Sequence, residues 1–260
     1  MDNKYLILRD KFKLLDDSEK RCDAYLLGQG LCKAFAEKQM GIPWLTHYSR
    51  KTIHVVISKK SKTGTDIESD KYRPDLIGID RKGNCHVFEA KGYSSGYSKK
   101  EHKYALDQVS IIDSINGKVP ETRVACFFDL SKKFHGHIID PIGDRNVGVD
   151  LHMDNPFLNY YAMFDDETFP NARKIRVNND EYVVKYICDG WYYGVNIKVK
   201  MLLEQRNFDV RTLCEFLPNG IYDSEHLSVG SDGIILFRKG QGYCVCPTLD
   251  DIYCVRENTW

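Results

Sequence analysis

A chain of 260 residues with 42% hydrophobic and 12% aromatic side chains can bury a sizeable core, which excludes intrinsic disorder as a description of the whole. Its 37 Lys and Arg balance 37 Asp and Glu, and a formal net charge of zero argues against a generic nucleic-acid coat protein, whose affinity rests on many cations neutralising phosphates. An enzyme with a local basic surface remains open.

The apolar run Tyr5-Leu6-Ile7-Leu8 is too short for a signal peptide, and no later stretch approaches the roughly 18 apolar residues of a membrane span, so a soluble, unexported, cytoplasmic chain without membrane partners is expected. From Asp16 to about Met40 the sequence predicts a helix. Asp16, Asp17 and Glu19 stand where a helix N-terminus favours acids, and Gly41 and Pro43 supply the stop. Cys22, Tyr25, Cys32 and Ala36 recur at helical spacing, with Gln29 on the same stripe. Residues 52–57 read as a strand and 61–65 as a polar loop. Two strand-like runs, 74–79 and 85–91, flank a connection rich in Gly and Asn, which is a hairpin signal. After a flexible stretch at 92–97, Ser98 and Glu101 are spaced as a capping box for a helix from about Lys99 to Ile115. Residues 122–128 read as a buried strand and 137–139 as a shorter one. Acidic Asp165, Asp166 and Glu167 with Pro170 mark a boundary, giving expected domains at 1–168 and 169–260. In the second, a three-strand meander over 173–200, a short helix near 211–216 and a hairpin through 231–233 and 239–240 make a β-rich α+β extension.

The 74–91 hairpin carries the chemistry. If Ile79 pairs with Cys85, antiparallel counting sets Ile77 opposite Val87 and Asp75 opposite Glu89, with side chains about 5 Å apart. Lys91, two residues on, projects from the same face as Glu89. Two carboxylates and an ammonium therefore converge at one end of a sheet of Leu, Ile, Val and Phe. Burying like charges together is costly without compensation, and a divalent cation with hard oxygen ligands, such as Mg²⁺, supplies it.

Pro74-Asp75, a strand, then Glu89-Ala90-Lys91 resembles the motif of the PD-(D/E)XK nuclease superfamily, and the order of helix, hairpin, helix and strand over residues 16 to 140 resembles its restriction-endonuclease-like core. The resemblance implies an α/β fold with a mixed central sheet flanked by helices, and Mg²⁺-dependent hydrolysis of phosphodiesters with a 5′-phosphate product, Mn²⁺ being able to substitute. It implies metal ligation by Asp75, Glu89 and the main-chain carbonyl of Ala90, with Lys91 orienting or deprotonating the attacking water. Where many members carry a Glu on the leading helix this chain has Gln29, which adds no charge and favours one metal with Gln29 as an outer ligand. DNA is the expected substrate, in restriction, in phage defence or as a subunit of a larger defence or processing complex, and cutting both strands of a duplex implies a homodimer. A non-catalytic nucleic-acid-binding or assembly subunit that keeps the fold, and an RNA-processing nuclease, are the competing readings.

Around this centre, Gln108 is expected on the inward stripe of the second helix with Tyr104, Ile111 and Ile115. Lys99, Lys100, His102 and Lys103 crowd that helix's first turn, either to hold a phosphate backbone or as a solvated surface. Arg73 and Tyr72 precede the motif as candidate substrate contacts. His54, His86 and His102 are proton donors or structural, and Ser94 and Ser95 contact phosphate or merely link. Tyr182, Tyr186, Trp191, Tyr192 and Tyr193 interleave with Lys185, Lys198 and Lys200, a mix that stacks bases or packs a core. The nine cysteines show no framework spacing and fit reduced thiols. Cys244, Cys246, Cys254, Cys214 and His226 offer zinc donors without any Cys-x-x-Cys pair. No Cys₂His₂ finger, P-loop or Gly-x-Ser-x-Gly motif is present. The zero net charge is a cancellation: residues 50–103 hold 13 basic against 7 acidic side chains, residues 140–189 hold 5 against 10, and a polarised enzyme with a basic face at the motif is expected.

Overall fold

The computed structural model describes residues 10–47, 73–96, 98–131, 134–141, 148–165, 167, 169–177, 179–206, 208–217 and 222–239, and, as backbone alone, strands at 53–59, 243–247 and 253–257. It is a mixed α/β protein whose chain divides into two compact units, Met1–Asp154 and Asn155–Trp260. The division precedes the acidic stretch around Asp165 because the segment from Asn155 onward binds C-terminal partners. Asn155 Nδ2 donates to the Phe208 carbonyl at 2.8 Å, Tyr161 Oη donates to the Asp232 carbonyl at 2.6 Å, and Phe164 packs on Phe169 and Tyr193. Among the described residues no helix is long and apolar enough to cross a membrane.

In chain order the first unit contains α1 (Asp10–Lys13), α2 (Asp17–Met40), β1 (Trp44–His47), β2 (Ile53–Lys59), β3 (Leu76–Ile79), β4 (Cys85–Tyr93), α3 (Lys99–Ser110), β5 (Ile112–Ile115), β6 (Thr122–Asp129), β7 (His135–Ile139) and β8 (Gly148–Met153). Asp16 and Glu19 close a capping box at the start of α2, and Gly41 ends it in the left-handed conformation at φ 68°. The stripe that α2 buries is Ala24, Gly28, Cys32 and Ala36, and Cys22 and Tyr25, expected inward, are exposed. Small residues every fourth position let the helix backbone lie directly on the sheet.

That sheet has the order β1-β3-β4-β6-β7, antiparallel throughout except for the parallel pair β4–β6, which α3 bridges as a crossover. A three-stranded sheet, β2-β8-β5, completes the unit. On one face Cys32 and Ala36 of α2 cover Phe88, Ala90, Cys126 and Phe128; on the other Ala105 and Val109 of α3 cover Ile77, Val87, Ala125 and Phe127. Contrary to the expected helix through Ile115, α3 stops at Ser110. The β-branched pair Ile111-Ile112 turns into β5, the Ile111 carbonyl accepting from Val149 N at 2.9 Å. Gln108 therefore faces inward with Ala105 and Val109, while Tyr104 is exposed.

The second unit holds α4 (Pro156–Tyr160), a 3₁₀ turn (Ala162–Phe164), β9 (Arg173–Val177), β10 (Asp180–Tyr186), β11 (Trp191–Asn196), α5 (Ile197–Gln205), α6 (Val210–Phe216), β12 (Tyr222–Asp223), β13 (Leu227–Val229), β14 (Ile234–Arg238), β15 (Tyr243–Pro247) and β16 (Tyr253–Glu257). Its strands form one sheet, β12-β13-β14-β11-β10-β9-β16-β15. The meander is as expected except that its third strand ends at Asn196, whose side chain accepts from Lys198 N at 2.9 Å and starts α5.

Candidate functional site

The β3–β4 register pairs Ile79 with Cys85 and Ile77 with Val87, so the hairpin carries Asp75 to Glu89. The two acids are laced together through their backbones. Asp75 N–H donates to Glu89 Oε2 at 2.9 Å, and Ala90 N–H donates to Asp75 Oδ2 at 3.1 Å. Glu89 is fully buried, with relative exposure of 0%. Lys91 Nζ lies 3.6 Å from Asp75 Oδ2 and ion-pairs with Glu89 Oε1. The compensation expected from a cation is thus supplied in part by the chain's own ammonium.

It is not supplied in full. Burial pushes the Glu89 carboxyl up and the Asp75 charge adds to it; Lys91 and the Asp75 N–H pull back, and the balance stands at about 7. For Lys91, burial works to lower its pKa, but the charges of Glu89 and Asp75 outweigh it and hold the ammonium above its ordinary value. Lys91 is therefore a cation here rather than a ready base. Among the described residues no group of three or more His, Cys, Asp or Glu is arranged to hold a metal ion. A pair of carboxylates is nonetheless the donor set that Mg²⁺ uses, with water and substrate taking its other positions. The fully buried acid at about 7 marks a centre still short of positive charge, so these residues fit a divalent cation.

Two glycines fix this end of the sheet under α2. A Cβ on Gly92 would stand 1.8 Å from the Ala24 carbonyl oxygen, and one on Gly28 would stand 2.7 Å from Gly92 N. Helix and strand meet backbone to backbone directly after Lys91. On α2, Gln29 keeps both its amide atoms buried with no hydrogen-bond partner. Tyr25, one turn earlier, bonds His47 Nε2 through its hydroxyl at 3.2 Å. Burial chiefly raises the Tyr25 pKa; the Asp75 and Glu89 charges raise it further and Lys91 opposes them, so the phenol senses all three site residues. His47 pairs with Leu76, the neighbour of Asp75. Sequence reasoning passed over Tyr25 and His47 as site residues. The available signal was Tyr25 standing four residues before Gln29.

The remaining candidates are placed as follows. Gln108 Nε2 donates to the Arg73 carbonyl at 2.7 Å and braces the chain entering β3, while its Oε1 is buried without a hydrogen-bond partner. Ala90 points its methyl to the opposite face, among Phe88, Cys126 and Phe128. Lys99, Lys100 and Lys103 are exposed on the first turns of α3. The His102 ring lies 4.2 Å from that of Phe127. His86 is a structural histidine toward the hairpin turn, bonded through Nδ1 to Thr122 Oγ1 at 3.0 Å; burial lowers its pKa against the pull of Asp80. Tyr72, the side chains of His54, Cys244, Cys246 and Cys254, and most of the basic run at 50–71 lie outside the described residues. In the second unit Tyr182 is buried, Tyr192 stacks on Phe237 and Tyr193 meets Phe164 and Phe169, so these rings serve the core; Tyr186 is exposed.

Comparison of the chain with protein-family models, with curated proteins and with solved structures finds no match.

Proposed function

We propose that the protein is a metal-dependent nuclease that hydrolyses phosphodiester bonds in DNA. The observation that carries this reading is the reciprocal lacing of Asp75 and Glu89 beside Lys91, with a fully buried carboxyl raised to about 7. The order of a leading helix, a β3–β4 hairpin bearing the acids, a crossover helix and the parallel strand β6 supports a restriction-endonuclease-like core of the PD-(D/E)XK kind. Asp75, Glu89 and the Ala90 carbonyl would hold Mg²⁺, or Mn²⁺ in its place. Such a cation, when bound, acidifies a water and shields phosphate charge. Lys91 meets the negative charge that develops on the phosphate oxygens, Gln29 orients the water through its unpartnered amide, and Lys99, Lys100, Lys103 and Arg73 engage the backbone of the nucleic acid. Restriction or phage defence in the cytoplasm suits such an enzyme, acting as a homodimer or within a larger complex.

A second reading, a nucleic-acid-binding subunit without catalysis, is favoured by one fact: Lys91 already ion-pairs with Glu89. Incubation of the purified chain with linear, supercoiled and single-stranded DNA, and with RNA, separates the readings. Cleavage is expected in Mg²⁺ or Mn²⁺, absent in EDTA, and lowered at least about 100-fold in Lys91→Ala. Cleavage that survives both controls overturns this assignment, and DNA binding with no cleavage establishes the second.

A further inference from the structure

We infer that Tyr25 is the acid that protonates the leaving sugar oxygen, with His47 positioning and recharging its hydroxyl. The inference rests on the nuclease reading and adds to it two residues outside the Asp75, Glu89 and Lys91 centre.

Four observations place the phenol. The backbone of α2 is clamped on β4 where Ala24 and Gly28 meet Gly92, the residue after Lys91, and Tyr25 follows Ala24 directly in the chain. The hydroxyl is tied to His47 at 3.2 Å, and β1 sets His47 opposite Leu76, the residue after Asp75. The oxygen is thus held at the end of the β1–β3 pair, beside the residue that follows Asp75. Tyr25 is 43% exposed, so a substrate can reach it. Finally, burial, helped by the charges of Asp75 and Glu89 and opposed by Lys91, holds the phenol above its ordinary pKa of 10.0, hence protonated at neutral pH. A protonated phenol is the form that donates.

Hydrolysis needs such a donor. Lys91 ion-pairs with Glu89 and lies 3.6 Å from Asp75 Oδ2, where its charge faces the phosphate rather than the leaving oxygen, and Glu89 is fully buried. As the bond from phosphorus to the leaving oxygen breaks, its electron pair stays on that oxygen, and the Tyr25 proton moves there to give a free hydroxyl. The phenolate left behind takes the Nε2 proton of His47, while His47 Nδ1 takes one from solvent. The imidazole ends neutral in its other tautomer and the phenol is restored. When Nε2 carries the proton, it donates to the phenol oxygen and leaves the phenol hydrogen aimed at substrate.

The test uses the leaving group. Product ends from wild-type cleavage identify the leaving oxygen, and a DNA duplex is made with sulfur bridging at that atom of the link that is cut. A thiolate departs without protonation, so an acid matters for the oxygen ester alone. Tyr25→Phe is expected to slow cleavage of the oxygen ester by about 100-fold or more while cleavage of the sulfur ester in Mn²⁺ stays within about threefold of wild type. Lys91→Ala should lose both. His47→Gln should give the same selectivity with a smaller, several-fold loss, and it carries the test if Tyr25→Phe does not fold. Equal losses on the two esters, or none on either, overturn the role of Tyr25 and leave the nuclease standing. Absence of cleavage by the wild-type chain overturns both.

Discussion

Each unit of this protein buries an acid, and the two acids are treated oppositely. Asp232, in the second unit, is 3% exposed and sits in a tight turn, where it accepts from Ile234 N–H at 3.0 Å and from the Tyr160 hydroxyl. Both of these donors are neutral, and the acid fixes the geometry that lets Gly233, at φ 78°, close against Leu217. Glu89 is buried more deeply and faces another acid, so one ammonium serves two carboxylates. A buried acid is therefore not in itself a mark of function. Repulsion retained inside the fold is, because satisfying it would have required only a change of Asp75 or Glu89 to an amide.

The same contrast holds for a pair of glycines and gives the largest expected effect. Gly92 abuts the Ala24 carbonyl of α2, and Gly194, in β11, abuts the Val183 carbonyl, where an added Cβ would stand 2.1 Å away. Ala at either position forces backbone apart and should cost about 3 kcal/mol or more in urea unfolding. The two variants should part in function. Gly92→Ala moves Lys91 and α2, and should abolish cleavage and cation binding. Gly194→Ala should weaken the second unit while Mg²⁺ binding, read by calorimetry, keeps its wild-type affinity. Equal loss of cation binding in both would show that the two units do not divide the work in this way.

How far such features are legible in sequence depends on how local their causes are. The helix start at Asp16, the capping box at Ser98 and the register from Ile79 to Cys85 were readable because they depend on residues a few positions apart. Asp75, Glu89 and Lys91 followed from that register by counting in twos. The strand β1 was not readable: Trp44-Leu45-Thr46 lies between a helix stop and a polar segment, and its pairing with β3 is a long-range choice. For the same reason His47 was invisible, since its nearness to Tyr25 exists only once β1 has joined the sheet. The end of α3 misled because Ile111, Ile112 and Ile115 fit a helical stripe and a strand equally, and pairing with β8 decided for the strand.

Titration offers a sharper, intermediate test of the two acids. Glu89 passes from an ordinary 4.5 to about 7 in the fold. Between those values the folded chain holds a proton that the unfolded chain has released, so stability falls as pH rises, and above about 7 it stays at the lower level. At about 1.4 kcal/mol per pH unit the loss amounts to roughly 3 kcal/mol. Unfolding followed from pH 4 to 8 should show this decline in wild type and a flatter profile in Glu89→Gln. Asp232→Asn should cost about 1 kcal/mol for its altered hydrogen-bond acceptor. On the proposed assignment Mg²⁺ would compete with the proton for Glu89, so the stabilisation it gives should grow from pH 5 to pH 8. A wild-type slope retained in Glu89→Gln would remove Glu89 as its cause.

The smallest effect concerns Gln29, where stability and function should move in opposite directions. An amide buried with neither its nitrogen nor its oxygen bonded costs about 1–3 kcal/mol relative to an apolar group of the same size. Nothing in the packing of α2 requires an amide at that position, since Ala24, Gly28, Cys32 and Ala36 already seat the helix. Gln29→Leu should then raise stability by about 1 kcal/mol, seen as a small upward shift of the melting temperature. The same substitution should weaken Mg²⁺ binding several-fold, because the water that the amide would orient loses its partner. A gain in stability without loss of cation affinity would make Gln29 a tolerated defect of the first unit, and a loss of stability would mean that its amide is bonded in solution.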